Sequence, residues 1–168
     1  MLINNAGANF PGGLDESTPD GFSASVELNL LAPFRLTAAL HGALKESTLH
    51  GGASVVMLAS MSAIRAVPLV PGYGSAKAGV LSLIRNLAVR WAGDRIRVNA
   101  VVPGVIDTPM TAPMALVPEI KQQQLDHVPL GRFGTPAEVA SAILFLCTDN
   151  ASYATGSAVS IDGGYSAM

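Results

Sequence analysis

Four short segments rich in apolar and β-branched residues, separated by segments of helical character, most constrain the fold of this chain. The predicted strands are Met1–Asn4, Ala53–Ser60, Ile96–Val102 and Ala158–Ile161. Strands that are largely apolar along their length are typical of a parallel sheet covered by helices on both faces. The predicted helices are a short one after Thr18-Pro19 and three longer ones over Leu30–Lys45, Tyr73–Ala92 and Pro136–Cys147. The alternation predicts an α/β fold with a doubly wound parallel sheet.

The composition restricts the partners of the chain. Its 168 residues are 49% hydrophobic and 13% charged, with a formal net charge of -2, which predicts one domain over residues 1–168 with a substantial core. No basic cluster is present, so we expect no nucleic-acid partner. The longest uncharged run, Ser47–Ile64, contains too many polar residues and glycines for a membrane span. A single cysteine, Cys147, and the lack of a secretion signal predict a cytoplasmic protein.

Two of the predicted helices carry more apolar surface than one sheet can cover. The mean hydropathy of +0.41 is high for a small protein with few charges. The helix over residues 30–45 is apolar nearly all round, and the helix over residues 73–92 has an apolar stripe plus further apolar residues on another side. We therefore expect a homo-oligomer that associates through these helices, with packing inside one chain as the alternative.

Tyr73 and Lys77 are the first candidates for chemistry, because residues four apart near the start of a helix share a face. An ammonium about 4 Å from a phenol would lower the tyrosine pKa by ~3 units, towards neutrality. Such a phenol can exchange a proton with a carbonyl or an alcohol oxygen. The alternative is a partly exposed ring beside a solvated amine.

Ser60 ends a predicted strand at the edge where open α/β sheets bind ligands, although it or Ser62 could simply cap the following loop. Ser60 precedes Tyr73 by thirteen positions, and Tyr73 precedes Lys77 by four. This pattern resembles the catalytic residues of the short-chain dehydrogenases/reductases. Further motifs occur in the family's order: Asn4-Asn5-Ala6-Gly7, Asn29, Pro103-Gly104 followed by Ile106 and Thr108, and Asp162-Gly163-Gly164.

The resemblance implies a Rossmann-like fold and a role for each matching residue. Tyr73 would be the acid/base, Lys77 would lower its pKa and hold the ribose, Ser60 would orient the carbonyl, and Asn29 would support a proton relay through water. The cofactor-binding residues would be Tyr73 and Lys77 themselves together with Asn5, Ala6, Gly7, Pro103, Gly104, Ile106 and Thr108. From the residues alone, Asn29 is equally a helix N-cap, and the Asn/Gly and Pro-Gly motifs are equally turns.

The glycine-rich turn that opens a dinucleotide-binding fold is not found in the sequence. By resemblance, the chain corresponds to the C-terminal two-thirds of a family member, without the first strands and that turn. We therefore expect weakened or lost binding of NAD or NADP, and the choice between the two stays open. The predicted function is NAD(P)-dependent interconversion of a secondary alcohol and a ketone. The alternative is a catalytically silent fragment that oligomerises without cofactor.

The remaining histidines and the cysteine show no pattern that predicts catalysis or metal binding. Three histidines, His41, His50 and His127, lack metal-ligand spacing, so no metal site is predicted, and Cys147 is predicted to lie in the core. The segment Thr108–Val128 occupies the place of the family's mobile substrate lid. Its methionines and aliphatic residues favour a small-molecule substrate with a hydrophobic body, or they pack on the domain.

Overall fold

A four-stranded parallel sheet forms the centre of the protein in a computed structural model that describes all 168 residues. The strands are β1 (Leu2–Asn4), β2 (Ala53–Leu58), β3 (Ile96–Pro103) and β4 (Ala158–Ile161), in that spatial order. Val55 of β2 lies opposite Leu2 of β1 and Val98 of β3, which fixes the register of the first three strands. All four predicted strands and their parallel arrangement are confirmed.

Seven α-helices accompany the sheet. They are α1 (Pro19–Val26), α2 (Ala32–Ala39), α3 (His41–Lys45), α4 (Pro71–Trp91), α5 (Ala112–Ala115), α6 (Pro118–Leu125) and α7 (Pro136–Cys147). Two of them, α5 and α6, lie in the segment after β3, where the sequence indicated no helix. The predicted α4 and α7 are confirmed, with α4 beginning two residues earlier than expected because Pro71 takes its first position.

The core has two parts, one on each face of the sheet. On one face α4 packs against β2 and β3, and its Val80 and Ile84 are fully buried together with Val98. On the other face α7 packs against the same strands through Val139 and Leu146. Cys147 is 8% exposed in this second cluster, as predicted. Helices therefore cover both faces, which is the doubly wound arrangement expected from the sequence.

The helix predicted over Leu30–Lys45 ends at Lys45 as expected, but it starts earlier than predicted and is not continuous. The chain is already helical from Pro19, passes through a π-helical turn at Glu27–Leu31 and continues into α2. It then breaks at Leu40, where the backbone leaves helical geometry before α3. Pro33 explains the widened turn, because its ring would clash with the carbonyl of the residue four positions earlier in a regular α-helix.

The start of α7 is fixed by a capping box. The Thr135 side chain accepts a hydrogen bond from the Glu138 backbone N–H at 3.3 Å, and the Glu138 carboxylate accepts one from the Thr135 N–H at 2.7 Å. Arg132 also pairs with Glu138, at 2.6 Å. These contacts lower the pKa of Glu138 to about 2, the hydrogen bond from Arg132 contributing most.

The end of α7 is held by a charged side chain that rises from the sheet. Arg97 of β3 is 7% exposed and donates hydrogen bonds to the carbonyls of Leu146, Thr148 and Ala154. A cation is favourable there, because the last carbonyls of a helix carry a partial negative charge. Asn99 of β3 also donates to Ala154, at 2.8 Å. Strand β3 thus fixes both the end of α7 and the segment leading to β4.

Some apolar side chains of the helices remain in water. On α2, Phe34 is 40% and Leu36 is 49% exposed, while Val89 of α4 is 83% exposed. Leu81 of α4 is buried at 8% exposure, so part of the extra apolar surface predicted on this helix packs within the chain. None of the helices combines the length and the hydrophobicity that a bilayer-spanning segment requires.

Candidate functional site

A cleft of about 580 Å³ opens at the carboxyl ends of β2 and β3, the edge at which parallel α/β sheets bind ligands. Nine of the residues predicted from the sequence line it: Asn5, Gly7, Ser60, Tyr73, Lys77, Pro103, Gly104, Ile106 and Thr108. Ala6 is exposed but does not line the cleft, and Asn29 lies fully buried behind its wall. The fold therefore gathers residues from four separate parts of the chain around one cavity.

Tyr73 and Lys77 lie on one face of α4, as their spacing predicts. The Lys77 Nζ is 5.4 Å from the centroid of the Tyr73 ring. Lys77 is only 4% exposed and donates a hydrogen bond to the Leu58 carbonyl at the end of β2, at 2.7 Å. Burial lowers the pKa of Lys77 to about 8. At pH 7 the cleft therefore contains a buried ammonium that still predominates over the neutral amine.

The pKa of Tyr73 moves in the direction opposite to the one predicted. Burial raises the pKa of the Tyr73 phenol, a hydrogen bond with the Ser60 hydroxyl lowers it, and the negative charge of Glu16 raises it further. The geometry gives the reason, because the Lys77 ammonium points to the Leu58 carbonyl and lies over the ring rather than on the phenol oxygen. In this structure Tyr73 is a protonated phenol at neutral pH.

Ser60 lies beside Tyr73 and also caps the turn that follows β2. Its hydroxyl accepts a hydrogen bond from the Ser62 backbone N–H at 3.2 Å and lies 3.3 Å from the Ser62 hydroxyl. Ser60 therefore caps the loop, as the alternative interpretation held, and it also lines the cleft, as predicted. The cap fixes the Ser60 hydroxyl in the cleft that Tyr73 also lines.

Asn29 is inside the π-helical turn and not at a helix N-cap, so the capping interpretation is wrong. Its side chain is fully buried, accepts a hydrogen bond from the Ala8 N–H at 3.2 Å, and donates to the Ala8 carbonyl at 2.8 Å and the Ser25 carbonyl at 3.0 Å. Single π turns inside α-helices frequently occur at functional sites. Here the turn joins the helix to the segment that follows β1.

Gly7 lies where Asn29 and Lys77 approach the backbone. A Cβ atom at this position would be 2.8 Å from the Asn29 Oδ1 and 3.2 Å from the Lys77 Nζ. Both distances are shorter than ordinary van der Waals contact, so only glycine fits without displacing one of these buried groups. The close approach brings Asn29 and Lys77 to the same backbone position.

Glu16 is a residue of this site that the sequence analysis did not identify. Its side chain is fully buried, and its carboxylate accepts hydrogen bonds from the Phe10 N–H at 2.8 Å and the Tyr73 N–H at 2.6 Å. Tyr73 is the third residue of α4, so Glu16 provides the N-terminal cap that the α4 sequence lacks. Both partners are backbone groups, and no residue pattern signals such a pairing.

The loop after β3 forms the wall opposite α4. Gly104 passes so close to β4 that a Cβ atom would be 2.7 Å from the Asp162 Cα. Two residues further on, the Ile106 carbonyl accepts hydrogen bonds from the hydroxyls of Thr108 and Thr111. Asp162 closes its own turn by accepting hydrogen bonds from the backbone N–H groups of Gly164 and Ser166. The motif residues of this region are therefore packed into one rigid loop.

The structure brings no three or more histidine, cysteine, aspartate or glutamate side chains together in an arrangement that could hold a metal ion. His41 instead pairs with Asp94 at 2.9 Å and stacks on Trp91, outside the cleft.

The fold has close counterparts among solved structures. A putative 2-deoxy-D-gluconate 3-dehydrogenase from Agrobacterium tumefaciens, solved with bound NADP, matches 99% of this chain with a TM-score of 0.88 and 32% sequence identity. This chain covers 67% of that structure. The architecture is thus that of the Rossmann-like α/β proteins.

Sequence comparisons identify the family as well as the fold. A family model described as enoyl-(acyl carrier protein) reductase matches residues 1–166. A tropinone reductase homolog from Datura stramonium is 38% identical, and so is a 3-oxoacyl-(acyl-carrier-protein) reductase from Thermotoga maritima. Each comparison includes 98% of this chain, which spans 62% and 65%, respectively, of the lengths of these relatives. The chain belongs to the short-chain dehydrogenase/reductase family.

Proposed function

We propose that this chain carries the catalytic part of an oxidoreductase that interconverts a secondary alcohol and a ketone with NAD or NADP. The observation that carries the proposal is the cleft in which a buried lysine, a protonated tyrosine and a serine hydroxyl meet. The family membership supports it, as does the NADP bound to the solved relative from Agrobacterium tumefaciens.

The residues of the cleft are suited to hold a nicotinamide cofactor. Lys77 has three N–H donors, and the structure gives it one acceptor, the Leu58 carbonyl, so donors remain for ribose hydroxyls. Gly7 and Gly104 allow a ligand to approach the backbone closely. Ile106 and Thr108 would contact the nicotinamide end from the opposite wall. When bound, the nicotinamide supplies or accepts the hydride.

The proton steps belong to the protein. In reduction, Tyr73 donates its phenolic proton to the substrate oxygen while the Ser60 hydroxyl donates a hydrogen bond to the same oxygen. Asn29 supports resupply of a proton from solvent to the phenolate that remains. Because burial raises the pKa of Tyr73, the phenol is ready to donate at neutral pH. We therefore expect reduction to be favoured near pH 7 and alcohol oxidation to increase with pH.

Replacing the reactive hydroxyl tests this assignment. Tyr73→Phe keeps the ring packing and removes the transferable proton, so turnover should fall by ~10² to 10⁴ while NADPH affinity stays near that of the parent. Steady-state ketone reduction measures the first effect, and a fluorescence titration with NADH and NADPH measures the second. A Tyr73→Phe protein with parental kcat on every accepted ketone would refute the role of the tyrosine.

The same titration tests the alternative, in which the chain is catalytically silent. Under that alternative the 168-residue chain binds neither cofactor and reduces no ketone. Micromolar binding together with turnover would exclude it.

A further inference from the structure

The cleft is lined mainly by uncharged side chains. Of the 29 residues that line it, 16 are hydrophobic, and Lys77 is the only one with a charged side chain. That ammonium lies over the Tyr73 ring and already donates a hydrogen bond to the Leu58 carbonyl. No other cation therefore faces the space in which a substrate would lie.

The walls beyond Tyr73 are apolar on two sides. Met61, Val67 and Leu69 come from the loop before α4, and Met110 and Met114 come from the segment after β3. Leu69 is 72% and Met110 is 43% exposed to solvent. Exposed apolar side chains at the mouth of a cleft gain stability when a ligand covers them. The polar groups on this side, including Gln124 and Tyr165, are uncharged.

We propose that the substrate is an uncharged ketone or secondary alcohol with hydrocarbon substituents, and that compounds carrying a carboxylate, phosphate or sulfonate are poorly accepted. The inference rests on the proposed function for the reacting group. A carboxylate moved into an apolar cleft loses hydration and needs a cation or several hydrogen-bond donors to replace it. A methylene chain in the same place gains free energy with each carbon that it buries.

A matched pair of ketones tests the proposal. Octan-2-one and 7-oxooctanoate share the methyl ketone and the linear chain, and they differ in the terminal carboxylate. Ligand-observed NMR with the 168-residue chain should show octan-2-one binding at least ~10-fold more tightly than the keto acid. Equal or tighter binding of the keto acid, or no binding of either ketone, would overturn the proposal.

Turnover of the same pair is measured separately. If octan-2-one binds selectively but is not reduced with NADPH, the proposed function fails while the substrate class stands. If both ketones are reduced with equal kcat/KM, the substrate class fails while the proposed function stands.

A charge added to the wall provides a second test. Met110→Arg should increase affinity for 7-oxooctanoate by ~10-fold, whereas the matched control Met110→Gln, which is polar without charge, should not. Since Met110 is well exposed, both variants are expected to fold. An unchanged ratio of affinities in Met110→Arg would show that the Met110 position does not face the bound ketone and would count against the proposal.

A second inference comes from Glu16, which is buried without a cationic partner. Its two carboxylate oxygens accept hydrogen bonds from Phe10 in the segment after β1 and from Tyr73 at the start of α4. Phe10 adopts a left-handed backbone conformation, with φ of 49°. A non-glycine residue in that conformation is strained and needs local contacts to hold it.

We propose that Glu16 is a positioning residue for Tyr73, because its carboxylate fixes the start of α4 to the segment that carries Gly7. The charged groups near the Tyr73 phenol are Glu16 and Lys77. Burial raises the pKa of Tyr73 most and the charge of Glu16 raises it further, so the carboxylate that places the phenol also disfavours its ionisation.

Titration of Tyr73 tests the role of Glu16 without requiring turnover. Phenolate absorbance is followed in the parent and in Glu16→Gln, each beside its Tyr73→Phe counterpart, so that the difference reports Tyr73 alone. We expect Tyr73 to ionise at lower pH in Glu16→Gln. A merely structural residue would change stability without this shift, and a Tyr73 that titrates as in the parent would refute the proposal.

Glu16→Asp serves as the conservative variant and as a substitute if the glutamine variant does not fold. It keeps the charge, so Tyr73 should titrate near its parental pH. Its shorter side chain cannot reach both N–H groups, so kcat should fall at least ~10-fold with KM for the ketone little changed. Parental kcat in Glu16→Asp would contradict the positioning role.

Discussion

Gly7→Ala is the substitution whose effect follows most directly from the structure. The added Cβ would lie 2.8 Å from the Asn29 Oδ1 and 3.2 Å from the Lys77 Nζ. Gly7 has no positive φ, so an alanine at this position causes no backbone strain. It destabilises the protein only through steric overlap with neighbouring atoms. Either the backbone after β1 or the Asn29 amide must move.

The hydrogen bonds that the added Cβ would break determine how much Gly7→Ala destabilises the protein. Asn29 is fully buried, and its bond from the Ala8 N–H is already 3.2 Å long, so a shift of a few tenths of an ångström breaks it. A buried polar group that loses its partner costs about 1–3 kcal/mol, and forced overpacking costs a similar amount. Reduced flexibility of the unfolded chain offsets about 0.4–1 kcal/mol. We expect a net loss of about 2 kcal/mol in the free energy of unfolding.

Urea unfolding followed by circular dichroism measures this loss. With a slope of about 2 kcal/mol per molar urea, the midpoint should fall by ~1 M. Gly42→Ala is the matched control, because Gly42 lies in α3 with no atom within 4 Å of the added Cβ. Its stability should be unchanged or increase by up to ~1 kcal/mol through helix propensity. If Gly7→Ala and Gly42→Ala had the same midpoint, the close packing of Gly7, Asn29 and Lys77 would be refuted.

Three further outcomes are expected. Lys77→Ala should weaken both NADPH binding and turnover, and unchanged affinity in a titration would remove the ribose-binding role. The pKa of Glu138 falls from 4.5 to about 2 on folding, so its ion pair with Arg132 stabilises the protein above pH 4.5 and is lost as the pH falls towards 2. Glu138→Gln should thus be less stable than the parent at pH 7 by urea unfolding, with a difference that disappears in acid. We also expect self-association through α2 and α4 in sedimentation velocity at micromolar concentration, weakened by Val89→Glu; a clean monomer would favour the internal-packing alternative.

The central strands β2 and β3 were predictable because the sheet buries both of their faces, and that leaves a visible run of apolar residues. Val55 and Val56 of β2 point to opposite clusters, yet both are fully buried. The residues of the cleft were predictable for a related reason, since the ends of parallel strands meet at one edge.

The helical region before β2 was not predictable in the same way. A π turn inserts one extra residue into the helix and so rotates the following side chains around the helix axis. The sequence on either side of the turn still has a helical pattern, so the pattern does not reveal the turn. Pro33 was the one local signal, and it indicates a distortion without giving its type. The packing of Asn29 against Ala8 depends on that rotation, so its role as a cap could not be excluded from the sequence.

The site also depends on contacts that sequence spacing does not describe. The interval from Tyr73 to Lys77 gives the shared face, whereas the direction of the Lys77 side chain is decided by the Leu58 carbonyl on another element. Glu16 was missed because it binds backbone N–H groups, which every residue except proline has. Long-range pairings of this kind appear only when the chain is folded.

The anchoring of α7 by Arg97 has a consequence for how the protein opens. If the end of α7 separated from the sheet, the guanidinium would lose its bonds to the Leu146 and Thr148 carbonyls while still held in β3. That cost links the release of the helix to the opening of the central strand. In native-state hydrogen exchange, the amides of α7 should therefore exchange together with those of β3, as one cooperative unit, rather than fray independently from the end of the helix.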